Sequence, residues 1–108
     1  MLLAIDIGNT NSVFALQQNG VVLDVFRCAT NHKRTSDEYF TWLSTLMKNK
    51  NINIRDINEV IICSVVPRVL YDLKTLCSNY FDCDPIIVGK SNCKLPIPVR
   101  VDEGTMVG

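Results

Sequence analysis

The chain has 108 residues, of which 47% are hydrophobic and 20% charged, and its 11 basic and 11 acidic side chains leave no formal net charge. That length suits one domain or one half of a larger one, and the composition is globular rather than disordered. A balanced charge gives no bulk attraction to nucleic acid or to an anionic membrane surface. No apolar run approaches the ~20 residues that span a bilayer. The first residues lack a basic flank and are interrupted by Asp6, so they do not read as a signal peptide.

Taken in order, residues 2–7 and 11–17 read as two strands, and Asn19-Gly20 is a hairpin signal because both residues tolerate the positive φ of a type I′ turn. Residues 21–28 then form a third strand, antiparallel to the second. After a polar loop at 29–34, Thr35-Ser36-Asp37-Glu38 has the form of a capping box, with Thr35 as the cap and Glu38 reaching back. Tyr39, Trp42, Leu43, Leu46 and Met47 follow at helical spacing, which gives one apolar stripe. The apolar run Val60-Ile61-Ile62-Cys63 reads as a strand buried on both faces. Pro67 suits the first turn of a helix whose apolar face is Leu70, Leu73, Leu76, Cys77 and Tyr80. Residues 85–88 form a further strand, 90–98 a loop broken by Pro96 and Pro98, and 99–101 a short edge strand. The order is β-β-β-α-β-α-β, an α/β mixed sheet with helices packed against it.

Five cysteines, Cys28, Cys63, Cys77, Cys83 and Cys93, are odd in number and show no C-x-x-C spacing. Free thiols in a reducing compartment are expected, without a disulfide framework or a zinc site.

The densest set of polar and turn residues lies between the first two strands. Asp6 ends the first strand, Gly8 can take positive φ and admit a close ligand, and Asn9, Thr10, Asn11 and Ser12 supply short donors and acceptors. Their backbone N–H groups can line an anion-binding concavity. A carboxylate able to hold hydrated Mg²⁺ beside such a turn is half of a phosphoryl-transfer site. No Gly-Lys-Ser/Thr follows, so it is not a Walker loop, and it opens a strand rather than a helix, so it is not a dinucleotide fingerprint. Thr35 and Glu38 are explained by the helix cap, and His32, Lys33 and Arg34 by a solvated loop.

Four stretches together resemble type III pantothenate kinases: Asp6-Ile7-Gly8-Asn9-Thr10-Asn11, Arg34-Thr35-Ser36-Asp37-Glu38-Tyr39, Ser64-Val65-Val66-Pro67, and Val107-Gly108 at the start of a Val-Gly-Ala-Asp-Arg motif. The resemblance implies a ribonuclease H-like fold of the actin-like ATPase superfamily. It makes residues 1–108 the N-terminal half of a two-half kinase whose C-terminal half is absent. It implies ATP-dependent phosphorylation of pantothenate to 4′-phosphopantothenate, the first step of coenzyme A biosynthesis, in the cytoplasm and by a homodimer at full length. It places ATP and its Mg²⁺ on Asp6, Ile7, Gly8, Asn9, Thr10, Asn11, Ser12 and Val13, with Asp6 as the metal-organising group. A monovalent cation, K⁺ or NH₄⁺, is also implied. Val101 stands where many members have a substrate-contacting Tyr, and Gly108 opens the substrate motif; the general-base Asp is expected beyond Gly108. This half alone is therefore expected to be inactive. Some members carry the label of an accessory factor for transcriptional activation, which implies a second role, a non-catalytic ATPase-like regulatory partner. Another kinase or phosphatase of the same superfamily is a third reading, against which the Ser-Val-Val-Pro and Val-Gly stretches count.

Overall fold

The computed structural model describes residues 1–89. The 90–98 loop, the 99–101 strand and the substrate positions Val101 and Gly108 lie outside the described residues. Strands β1 (Leu2–Ile7), β2 (Asn11–Gln18) and β3 (Val21–Ala29) form an antiparallel meander. Asn19 (φ 53°) and Gly20 (φ 77°) both take positive φ in the β2–β3 turn, as a type I′ hairpin requires. Helix α1 (Ser36–Asn49) follows, then β4 (Glu59–Cys63), helix α2 (Pro67–Leu76) and β5 (Ile86–Val88). Strands β4 and β5 join in parallel, so the five described strands lie in the order β3-β2-β1-β4-β5, with β1 at the centre.

The meander contains one irregularity. Gln17 pairs with Val22 but Leu16 pairs with Asp24, so Leu23 is an extra residue on β3. Such a bulge shifts the register of everything beyond it by one residue.

Both helices pack on one face of the sheet. Leu3, Ile5 and Ile7 of β1 point there with Phe14 and Leu16 of β2, and meet Tyr39, Leu43 and Met47 of α1 and Val69, Leu73 and Leu76 of α2. Phe14 anchors this layer, with its ring centroid 5.6 Å from that of Tyr39 and 5.1 Å, edge-on, from that of Trp42. The alternation of a strand sends Ala4 and Asp6 to the opposite face, where Ala4 packs with Val13 and Ala15.

Helix α1 begins in a complete capping box. The Glu38 N–H donates to Thr35 Oγ1 (3.2 Å) and the Thr35 N–H to Glu38 Oε1 (2.8 Å). The end of α2 departs from its expected apolar face. Residues Cys77–Phe81 continue it as a π-turn, which takes more residues per turn than an α-turn and so rotates the side chains that follow. Phe81 is buried, while Tyr80 lies outside, stacked on Phe40 at 3.9 Å with its hydroxyl donating to Asp37 Oδ1 at 2.6 Å. Val69 is buried in place of Leu70, which is only partly covered. A 3₁₀ turn, Ile54–Asp56, was not foreseen either; the Asn53 side chain caps it through the Arg55 N–H (2.9 Å).

The expectation of free thiols holds at Cys28, Cys77 and Cys83 and fails at Cys63, which is disulfide-bonded. Spacing rules read local Cys pairs, and nothing within reach of Cys63 in sequence announces a bridge. Cys93 lies outside the described residues.

Hydrogen bonds from the Thr35 N–H, and then from its hydroxyl, hold the Glu38 carboxyl below its ordinary range. A lowered folded-state pKa contributes stability that is complete above the unfolded value and is lost as pH falls through the folded one. Helix content followed by circular dichroism should therefore drop on acidification below about pH 4.5, with a smaller acid loss in Glu38→Gln, which keeps an acceptor but cannot titrate. Identical acid curves for the two proteins would remove this carboxylate from the account.

Candidate functional site

Parallel neighbours β1 and β4 end together, with Asp6 registered against Cys63 on one side and Val13 on the other. Ligands of open α/β sheets bind at the carboxyl ends of parallel strands, and Asp6 is the acidic residue at this end of β1. It is 8% exposed. Beyond Cys63, the buried Ser64 donates its N–H to Val88 O (3.2 Å), and its Oγ accepts from the Val66 N–H (3.2 Å). This turn starts α2 at Pro67, at the same end of the sheet.

The turn after β1 is tighter than its composition suggests. The Gly8 N–H donates to Asn11 O at 3.0 Å. A Cβ at position 8 would lie 2.7 Å from that same oxygen, so only glycine fits. Gly8 does not use a positive φ, contrary to expectation; its role is this close approach. Asn9, Thr10 and Asn11 are exposed, whereas Ile7, Ser12 and Val13 are buried. Ile7 and Val13 pack on opposite faces of the sheet, so only their backbone is at hand for a ligand.

Ser12 is turned away from solvent. Its Oγ lies 2.8 Å from Thr30 Oγ1 in a shared hydrogen bond. Thr30 Oγ1 donates to Gly8 O (2.9 Å), and the Thr30 N–H donates to Thr10 O (2.8 Å). Thr30, just past β3, was not among the expected site residues. No motif marks it; the β2–β3 register alone brings it to the turn.

The neighbouring basic loop is partly structural. Arg34 Nη2 donates to Ala29 O (3.0 Å), its guanidinium lies 5.9 Å from the Tyr39 ring centroid, and its buried Nε meets no acceptor among the described residues. Burial, chiefly, pushes the Tyr39 phenol up to about 12, which removes it as an acid or base near neutral pH. His32 is exposed. A cleft of about 620 Å³ lies elsewhere, between the end of α1 and the 3₁₀ turn, lined by Ser44, Lys48, Asn51 and Ile54 among others. The Met1 amine bonds Asp56 O of that 3₁₀ turn (3.0 Å), which puts the cleft toward the end of the sheet where β1 starts, remote from Asp6.

A carboxylate at a parallel strand end, followed by a glycine-tightened turn, is an arrangement able to receive a metal-bound phosphate. The sequence profile of type III pantothenate kinases matches residues 2–108. The chain belongs to the type III pantothenate kinase family. Proteins named type III pantothenate kinase from Dinoroseobacter shibae and Cereibacter sphaeroides are each 54% identical to it, and one from Ruegeria pomeroyi is 51% identical, in every case over the whole of this chain. The chain spans 42%, 42% and 41% of the lengths of these relatives.

The glycine requirement in this family member is directly testable. Gly8→Ala forces the Asn11 carbonyl to move, and overpacking of that kind costs ~1–3 kcal/mol. A urea midpoint lowered accordingly is expected; an unchanged midpoint would mean that the turn yields without cost.

Proposed function

We propose that the protein carrying this chain transfers the γ-phosphoryl group of ATP to the primary hydroxyl of pantothenate, giving 4′-phosphopantothenate and ADP. The reading rests on one observation above all: in a chain of this family, the Asp6 carboxylate and the 8–11 turn share the carboxyl end of the central strand. The five-stranded sheet with two helices on one face is consistent with a ribonuclease H-like half of an actin-like ATPase. Here β1 and its turn form one wall of the nucleotide cleft.

Phosphoryl transfer demands positioning and charge stabilisation more than covalent chemistry. Exposed backbone N–H groups of the 8–11 turn receive the nucleotide phosphates, and Asp6 orders the hydrated metal ion. Among the described residues no group of three or more His, Cys, Asp and Glu could hold a metal. The single carboxylate of Asp6 suits Mg²⁺ delivered with the nucleotide, because Mg²⁺ is usually held by one or two carboxylates together with substrate phosphates. When bound, Mg²⁺ neutralises phosphate charge. Ile7, Ser12 and Val13 contribute backbone and packing, while the pantothenate side of the site belongs to Val101, Gly108 and residues beyond them. A monovalent cation, a homodimer and a cytoplasmic location are part of the same reading through the family resemblance. No helix among the described residues is long and apolar enough to cross a membrane.

Asp6→Asn in the full gene product tests this. The substitution keeps shape and removes the charge. Turnover with MgATP and pantothenate should fall by ~10²–10³, the usual loss for one electrostatic group of this kind, with little change in melting temperature and partial recovery at higher Mg²⁺. Normal turnover would make Asp6 a turn residue and sink the assignment.

A further inference from the structure

The 8–11 turn is an incompletely closed hairpin, and Thr30 is the reason. An ordinary two-residue loop would pair Gly8 and Asn11 through both of their hydrogen bonds. Here Gly8 N–H to Asn11 O is made, and the Gly8 carbonyl is instead turned toward the Thr30 hydroxyl. The Thr10 carbonyl is turned the same way, toward the Thr30 N–H. In a planar trans peptide the N–H points opposite to the C=O. Holding these two carbonyls on β3 therefore aims the N–H groups of Asn9 and Asn11 away from β3, with a common direction. Paired N–H groups so presented are an anion nest.

We propose that Thr30 is a positioning residue for the phosphate site: it holds the turn, before any ligand arrives, in the orientation that presents the Asn9 and Asn11 N–H groups to phosphate. The identity of the ligand rests on the kinase reading above; the clamp itself does not. Thr30 is suited to the task by its two functional groups. Its hydroxyl donates to Gly8 O while sharing a hydrogen bond with Ser12 Oγ, so it is fixed in direction from a second side. Its N–H secures Thr10 separately. Preorganised donors need no reorientation when charge arrives, which is what makes them effective. The burial of Ser12, unexpected for a residue of the phosphate motif, follows: it braces the clamp.

The test uses the ¹⁵N-labelled full gene product, with inorganic pyrophosphate and Mg²⁺ as the probe. In the unliganded wild type, residues 8–11 should show order parameters near ~0.85, as in rigid backbone, and pyrophosphate should shift the Asn9 and Asn11 amide signals. Thr30→Val removes the hydroxyl and keeps the N–H bond to Thr10. Order at the turn should then fall toward ~0.6, and pyrophosphate affinity about tenfold. Thr30→Ser should restore both. If Thr30→Val does not fold, Ser12→Ala, which removes only the brace, should shift both readouts in the same direction by less; no shift overturns the proposal. A lower melting temperature with unchanged order and affinity would make Thr30 merely structural and overturn it. If the wild-type turn amides ignore pyrophosphate, the phosphate reading falls and takes the proposed role with it, whatever the order parameters show.

Discussion

Strand β1 is hydrogen-bonded along both edges, to β2 in the opposite sense and to β4 in the same sense. A strand so placed has one helix-covered face and no free edge, so it can offer chemistry only where it ends. Its Ile5, Asp6, Ile7 sequence uses that constraint directly. The two isoleucines secure the helix layer, and the residue between them must point to the other face. Parallel pairing with β4 then brings the Ser64 turn and the start of α2 to the same end. The position of Asp6 is thus a by-product of how the core is packed.

Rigidity at this end comes from several short-range devices acting together. Gly8 allows the turn to close to a distance no side chain would permit. Thr30 fixes two of its carbonyls from across the sheet. The capping box begins α1 six residues after β3 ends, and Arg34, between them, bonds back to the last residue of β3. A phosphate site needs fixed dipoles rather than an unusual acid or base. Elsewhere burial raises the Cys77 thiol and the Tyr39 phenol, and hydrogen bonds from Thr35 lower the Glu38 carboxyl.

Much of this was legible in the sequence because the relevant signals are local. Asn19-Gly20 names its own turn, Thr35 to Glu38 its own cap, and Pro67 its own helix start, each through conformational preferences confined to a few residues. The polar stretch 8–12 could likewise be singled out as a turn after a strand. What stayed hidden depends on partners distant in the chain. Ser12 looked like a ligand donor because its bond to Thr30 spans eighteen residues. Tyr80 and Phe81 exchanged places because a π-turn leaves the apolar spacing ambiguous by one position. The bond at Cys63 has no local signature at all. Gly8 stands out in the sequence because positive φ and crowding both call for glycine, and here it is crowding by the Asn11 carbonyl, not positive φ, that requires it.

The bulge at Leu23 ties the two ends of the meander together. Counted outward from Asn19-Gly20 without it, Thr10 would face Ala29; with it, Thr10 meets Thr30. Loop length at a distant hairpin is normally the most freely varied part of a sheet. In this meander the count of residues between that hairpin and the end of β3 acts as a ruler. A one-residue insertion beyond the bulge would bring Ala29 instead of Thr30 opposite Thr10 and turn Phe26 away from the helix-side core. An added residue there needs a compensating loss, and the only single deletion that keeps the register is one that removes the bulge, a constraint more typical of a gear than of a surface loop.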